Sequence, residues 1–424
     1  MSLDLDAAIR KARGKVLALL LRKDFDIIVA EDAVGAAIEV ALTSWPKFPP
    51  VHPEAWLMAV ALRKALDQTR RSRPTVSLDD ISDQPVNPSF EMTTHIPDER
   101  LRLYFLCTHP ALDSSLQCPL MLQLVVGMTV EQISELYLVP APAMAQRLVR
   151  AKRKIRDAGI LPRLPEAAEL QERVIPVLHA IYGLYFNEWR GAPDVPQALE
   201  LAMILGDLLP QHAEALGLVA LNALCDSRRA SRSGPLGEYI PLEEQDTSHW
   251  KVAKIELGEA YLRQASQLAS PGRFQIEAAL QSAHIHRRLN QGPPWSMIVQ
   301  LYDRLLAHAP TAGFYVGRAA ALARADGPAE GLAQLDALVQ ANPDLDSGFA
   351  PYLVARAHFL AELERIEEAR IYAARAASLS ASPAEREYLI AKFALDDVAA
   401  TSWRPCFVAL PAVINLRLVR DVDL

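Results

Sequence analysis

A basic segment between residues 141 and 163 carries the side chains best suited to chemistry, and that chemistry is nucleic-acid binding. It holds seven Lys or Arg residues and one acidic residue. Its apolar residues Met144, Leu148, Ala151 and Ile155 recur at helical spacing, which predicts one buried face and one basic face. On such a helix, early amide and guanidinium groups can read base edges in the major groove, and later cations contact phosphates. The predicted DNA-binding residues are Gln146, Arg147, Arg150, Lys152, Arg153 and Lys154.

The residues before this segment predict the first helix of a helix-turn-helix. Thr129 followed three positions later by Gln132 has the pattern of a capping box, which starts a helix. Pro140 ends that helix at Val139, and Pro142 falls in the first turn of the next helix, where its missing N–H costs little. The alternative is a solvated basic helix face that takes no part in DNA binding.

A second basic cluster lies between Val60 and Pro74, with five Lys or Arg residues and one acid, in a chain whose net charge is -7. Two local basic sites on an acidic body are typical of a DNA-binding protein with an extension that does not bind DNA. The alternative is that these cations complement a helix dipole and solvate a linker. Nearby, Trp45 and Trp56 are predicted to be core anchors.

The elements that must position these residues are helices. Helical periodicity dominates the chain, and only the stretch from Cys406 to Ile414 has an extended pattern, so an all-α fold is predicted. Proline-bearing and polar stretches mark the linkers. The predicted organisation is a helical unit at 1–72, a linker at 73–97, a helix-turn-helix unit at 98–160 and a helical extension at 165–400.

The extension carries an internal repeat. Segments that end at Pro310 and Pro343 lie 33 residues apart, close to the period of tetratricopeptide repeats, and a third version ends at Pro383. Small residues such as Ala319, Ala320, Ala357 and Ala373 would allow close helix approach. Stacked helix pairs with a concave groove are therefore predicted, and a protein partner or regulator is expected in that groove.

The sequence favours no enzyme. It lacks a P-loop, a nucleophile elbow, a zinc-protease motif and a dinucleotide fingerprint. His284 and His286 have no further ligand at metal spacing, so no metal or cofactor is expected. No apolar stretch reaches the roughly 20 residues of a membrane span, and the first residues lack a signal core, so a cytoplasmic protein is expected.

Several motifs together resemble a known family. The residues from Gly127 to Ile133 and from Val139 to Gly159, with His109 to Leu112, resemble region 4 of extracytoplasmic-function sigma factors, in particular the subgroup with a long tetratricopeptide-like C-terminal extension. Two further sets of motifs belong to the same resemblance. Those resembling region 2 are Ala30–Ala33, Trp45-Pro46, Ala55–Leu57, Ala65–Asp67 and Arg70-Arg71. Those resembling the extension are Tyr185–Glu188, Glu214–Gly217, Glu244–Asp246 with Trp250, Leu301–Asp303 and Ala325–Pro328.

The resemblance implies a transcription initiation protein that directs RNA polymerase to promoter DNA, with its activity controlled by the extension. Region 4 would then bind the -35 element, and region 2 would bind core polymerase through Glu31 and Asp32. Region 2 would also melt the -10 element. The cations implied there are Arg63, Lys64, Arg70 and Arg71.

Region 2 differs from the family pattern at Gly35 and Ala36, where a Gln followed by an acid is usual. The stretch from Ala61 to Ala65 likewise lacks the usual Asn. These differences keep an alternative open: a diverged sigma-like regulator or a repeat-type interaction scaffold with weak or no polymerase binding.

Overall fold

A computed structural model of the chain describes residues 5–72, 99–137, 139–163, 165–191, 197–289, 292–380 and 382–395. Within these ranges the regular elements are helices, and no strand is formed beyond one isolated bridge between Ser233 and Tyr239. The all-α prediction is confirmed. The chain divides into two compact units, Met1–Leu208 and Leu209–Leu424.

The described helices of the first unit are separated by short connections, apart from the interval between the third and the fourth. They are α1 (Leu5–Arg22), α2 (Ile27–Ser44), α3 (Pro53–Ser72), α4 (Glu99–Cys107), α5 (Ser114–Met121), a π-helical turn (Leu122–Val126), α6 (Val130–Tyr137), α7 (Ala141–Asp157), α8 (Ala167–Gly191) and α9 (Ala198–Leu208).

Helix α1 is central to the first unit, because it packs against α2, α3, α4 and the π-helical turn. Its apolar residues Val16, Leu17 and Leu20 are buried. Trp45, just after α2, is buried and meets Trp56 of α3 edge to face, with ring centroids 5.4 Å apart. The prediction of Trp45 as a core anchor is confirmed, and the pair fixes the angle between these two helices.

Helices α8 and α9 complete the first unit by supplying partners for α4. The guanidinium of Arg100 is almost fully buried, donates to Gln197 Oε1 at 2.8 Å and lies 3.3 Å from Glu200 Oε1. Arg173 of α8 donates to the carbonyl oxygen of Phe105 at the other end of α4. A buried cation without such partners would be strongly destabilising, so α4 depends on residues nearly 100 positions later.

The second unit is a succession of helices joined by turns. They are α10 (Ala213–Ser227), α11 (Val252–Gln267), α12 (Arg273–Arg288), α13 (Trp295–His308), α14 (Ala312–Asp326), α15 (Pro328–Ala341), α16 (Asp344–Gly348), α17 (Ala350–Glu362), α18 (Ile366–Leu379) and α19 (Pro383–Phe393), with short 3₁₀ turns between α10 and α11.

Helices of the second unit pack on their neighbours along the chain. Helix α13 ends two residues before Pro310, and α15 ends two residues before Pro343. Ala319, Ala357 and Ala373 are buried at the helix contacts. At Gly331 of α15 a Cβ atom would lie 2.6 Å from the Cβ of Ala323, so only glycine permits this approach of α15 to α14.

Two predicted segments, the linker at 73–97 and the stretch from Cys406 to Ile414, lie outside the described residues. The longest and most apolar helices of the described ranges fall short of what crossing a membrane requires.

Candidate nucleic-acid interface

Helices α6 and α7 have the local geometry that their sequences predict. The Thr129 N–H donates to Gln132 Oε1 at 2.9 Å, and the Gln132 N–H donates to the Thr129 hydroxyl at 3.3 Å. This reciprocal pair is the capping box, and it satisfies two of the N–H groups that a helix start leaves open. Helix α6 ends at Tyr137, two residues before the predicted end, and Pro140 in extended conformation begins α7.

Helix α7 separates an apolar face from a basic one. Met144, Leu148, Ala151 and Ile155 are all buried, as predicted. On the opposite side four of the six predicted DNA-binding side chains are exposed, and the other two are half-buried. The exposed ones are Gln146, Arg150, Arg153 and Lys154. The basic face therefore presents an amide and three cations to solvent.

Arg147, one of the half-buried pair, is held by α5. Its Nη2 donates to the Ser115 hydroxyl oxygen at 2.8 Å, and that hydroxyl donates to Asp113 Oδ1 at 2.7 Å. Hydrogen bonds from the Ser115 hydroxyl and N–H, with the charges of Arg147 and Lys154 nearby, hold the pKa of Asp113 below its ordinary value. Arg147 thus anchors α7 on α5 through Ser115.

Lys152, the other half-buried residue, is held by α2. Its Nζ lies 2.7 Å from Glu31 Oε2, and Glu31 Oε1 lies 3.9 Å from Arg13 Nη2. Arg13 also donates to the carbonyl oxygen of Gln123 at 2.6 Å. Each of the three charged side chains is at most one-fifth exposed. One carboxylate therefore joins α1, α2 and the basic helix α7.

A second, weaker contact joins the same two helices near the end of α7. Arg156 Nε lies 3.9 Å from Asp26 Oδ2 and 2.8 Å from Asp157 Oδ1. Asp26 also starts α2, because its carboxylate accepts a hydrogen bond from the Ile28 N–H. At these exposures the Arg156 contacts are screened by solvent and contribute little to stability.

The second predicted basic cluster lies on α3. Arg63, Lys64, Arg70 and Arg71 are all exposed. Residues seven apart fall on the same side of a helix, so the two pairs form one basic face with Asp67 between them. Helix α7 packs on α2 and α5. The two predicted DNA-contacting faces therefore belong to different helices of the first unit.

The two residues implied in polymerase binding both have partners within the chain. Glu31 meets Lys152 and Arg13, as described above. Asp32 is exposed and accepts a hydrogen bond from Gln68 Nε2 of α3 at 3.3 Å. Any protein that uses these carboxylates must compete with those internal partners, and the competition is stronger at Glu31 because its partners are cations in a half-buried site.

Sequence reasoning missed Arg13, Ser115 and Gln123. No spacing rule links them to α7, because the contact of Arg147 with Ser115 crosses 32 positions of the chain and that of Arg13 with Gln123 crosses 110. The one available signal was the acid Glu31 in a helix, α2, that consists mostly of apolar residues.

Two glutamates in the extension motifs that resemble the family cap helices of this chain. Glu188 Oε1 accepts from the N–H groups of Gln197 and Ala198 and so caps α9. Glu214 accepts from the N–H groups of Phe274 and Gln275 and caps α12. His286 lies 3.3 Å from Glu259. Across the described ranges no group of three or more His, Cys, Asp or Glu side chains is arranged to hold a metal ion.

Comparison with known proteins gives two similarities. Residues 173–266, from within α8 to the end of α11, match a family of unknown function (DUF6596). The chain is also 33% identical over 413 residues to an uncharacterized protein, R00370, of Rhizobium meliloti (strain 1021), an alignment that covers 93% of this chain and 96% of that relative. No solved structure matches the chain.

Proposed function

The chain belongs to the family of the uncharacterized protein R00370 of Rhizobium meliloti (strain 1021), and we propose that it is a sigma-factor-like transcription initiation protein. In this proposal it directs RNA polymerase to promoter DNA. Helix α7 reads the DNA, and the exposed cations of α3 contact a second promoter element. The resemblance of the motifs to extracytoplasmic-function sigma factors supports this proposal from the sequence.

The observation that carries the proposal is that α7 has one buried apolar face and one exposed basic face. Four apolar side chains fix the helix on the core, a capped α6 precedes it, and Gln146, Arg150, Arg153 and Lys154 point to solvent. A helix held in this way can enter a major groove without rearranging its own side chains. The three exposed cations would supply the salt-dependent attraction to phosphates.

The test combines co-purification with core RNA polymerase and run-off transcription from a selected promoter. The triple variant Arg150→Ala, Arg153→Ala, Lys154→Ala should lose transcription while it keeps polymerase binding. The matched control removes three exposed cations of the second unit, with Lys251→Ala, Arg263→Ala and Arg304→Ala. Equal transcription from the triple variant and the control would contradict the role of α7.

The proposal includes control of activity by the extension. One reason is size, because the extension is far longer than is needed to stabilise two small DNA-binding units. The other is charge, because the net charge of the chain outside residues 141–163 is strongly negative. A tethered acidic body can compete with DNA for a basic face. The test compares the full chain with a chain that ends after the first unit.

A second candidate is a diverged regulator or repeat-type scaffold with weak polymerase binding. The pairing of Glu31 with Lys152 and of Asp32 with Gln68 favours it, because these contacts occupy the two carboxylates that polymerase would need. Under this candidate the full chain does not co-purify with core polymerase. The same co-purification therefore separates the two candidates.

A further inference from the structure

The second unit contains a partly open cavity of about 900 Å³ that the proposed promoter recognition does not use. Its walls come from α12, α13, α14, α17, α18 and α19, and from the loop that carries Tyr239 and Glu244. The volume falls at the upper end of the range for small-molecule sites, roughly 300 to 1,000 Å³. Aromatic and small aliphatic side chains form most of the wall. They include Trp295, Tyr302, Ala320, Ala355, Phe359 and Phe393.

Two contacts tie the loop to the last described helix across one side of the cavity. Tyr239 meets Tyr388 of α19 edge to face, with ring centroids 5.5 Å apart. Lys392 Nζ lies 3.9 Å from Glu244 Oε1 and donates to the Tyr388 hydroxyl at 2.9 Å. These contacts hold the loop and α19 together as parts of one cavity wall.

Two of the polar side chains that line the cavity, His284 and His358, are uncharged imidazoles. Burial, together with the charges of Arg228 and Arg287, lowers the pKa of His284 to about 4. Burial, Lys392 and Arg324 likewise lower the pKa of His358 to about 4. At neutral pH each imidazole therefore offers one N–H donor and one acceptor nitrogen. The neighbouring cations also disfavour a positive charge on any ligand group that lies against either imidazole.

The cations in the wall have partners of their own. Arg324 Nη1 lies 3.3 Å from Glu362, Lys392 meets Glu244 and Tyr388, and Arg370 Nη2 donates to the Ala394 carbonyl oxygen at 2.5 Å. An anionic ligand would have to break one of these contacts to find a counter-charge. The wall also carries the carboxylates of Glu243, Glu244, Glu362 and Glu385, which repel an anionic ligand.

We infer that this cavity binds a small uncharged molecule with an aromatic body and one or two hydrogen-bonding groups. The body would lie against Trp295 and Phe359, and His284, His358 or the Tyr302 hydroxyl would bond its polar group. The inference goes beyond the proposed promoter recognition and does not depend on it, because ligand binding is measured without DNA or polymerase. It also replaces the expected protein partner of the groove with a ligand of defined chemistry.

The test uses the full chain and two fluorescent probes of nearly the same shape. N-Phenyl-1-naphthylamine is uncharged and carries one N–H group, and 1-anilinonaphthalene-8-sulfonate adds a negative charge to the same aromatic body. We expect one uncharged probe to bind per chain and the anionic probe to bind at least about tenfold more weakly. Calorimetry gives the stoichiometry.

Two variants test whether the probe binds inside the cavity. Ala355→Trp fills the cavity from α17 and should weaken binding of the uncharged probe at least about tenfold. Ala333→Trp adds the same ring at an exposed position of α15 that does not line the cavity, and it should leave binding unchanged. Ala320→Leu is a smaller change in the cavity wall and replaces Ala355→Trp in the test if that variant does not fold. Thermal melting shows whether each variant is folded.

Three results would overturn the inference. The first is the absence of uncharged-probe binding by the full chain, the result expected if a segment of the chain or a protein already fills the cavity. The second is equal binding of the two probes. The third is equal affinity in folded Ala355→Trp or Ala320→Leu and in the Ala333→Trp control.

Discussion

Lys152 of α7 and Glu31 of α2 lie 121 positions apart in the chain, yet Lys152 Nζ is 2.7 Å from Glu31 Oε2. In the proposed function the cation contacts DNA and the carboxylate contacts polymerase. While they hold each other, neither is available to an external partner. In this arrangement each of the two proposed binding activities must first break the same ion pair.

Release of this pair should strengthen DNA binding. In the Glu31→Gln variant Lys152 loses its counter-charge and becomes available to a phosphate. Half-buried pairs of this kind are worth about 1 kcal/mol, so we expect about fivefold tighter binding at moderate salt. Fluorescence anisotropy with a labelled duplex measures the change.

The matched control for that variant is Asp32→Asn. It removes the same charge from the next residue of α2, where the side chain is exposed and meets Gln68 instead of α7. If both variants change the affinity for DNA equally, the effect belongs to net charge and the pair with Lys152 does not limit binding.

Two exposed cations of α7 should differ in what they contribute. Arg150→Ala should relax sequence preference and cost about 1 to 3 kcal/mol of binding free energy on the preferred site if its guanidinium contacts a base. Lys154→Ala should weaken all sequences alike and reduce the slope of log affinity against log salt by about 0.9. Affinities for specific and scrambled duplexes over a range of salt separate the two. Identical profiles for both variants would rule out base reading by Arg150.

The end point of a truncated chain should decide whether its first unit folds. A chain that ends at Arg163 lacks α8 and α9, so α4 loses its packing against α8 and Arg100 loses its contacts with Gln197 and Glu200. A chain that ends at Leu208 keeps them. We expect cooperative thermal melting only for the longer one.

The Leu208 chain then tests the role of the extension. Promoter binding, transcription and their salt dependence should differ from those of the full chain if the extension controls activity. If the folded Leu208 chain matches the full chain in all three measurements, the extension is a separate scaffold.

His358 should make the second unit less stable in mild acid. Its pKa lies below the ordinary value of 6.5, at about 4, so between these values the unfolded chain binds a proton that the folded chain excludes. The contribution of the neutral His358 to the free energy of unfolding is complete above pH 6.5 and is lost as the pH falls toward 4. The melting temperature of the wild type should therefore fall more steeply in this window than that of His358→Gln. His249→Gln, at an exposed position, is the control and should follow the wild type.

Local features of this protein could be predicted from its sequence. The Thr129 and Gln132 cap, the buried face of α7 and the helix ends before Pro310 and Pro343 all follow from residues within one or two turns of each other. Periodicity and capping are properties of a short segment, and the segment alone satisfies them. The all-helical fold follows for the same reason.

The sequence by itself thus determined which segments are helices and which faces of them are apolar or basic. Only the tertiary structure decided which charges meet. The partners of Lys152 and Arg100 come from segments about 100 positions away, and nothing near either residue specifies them. The cavity has the same origin, since six helices and one loop must assemble before Trp295 and His358 face a common space. Pairing and enclosure depend on distances across the fold, and these distances exist only after the whole unit has packed.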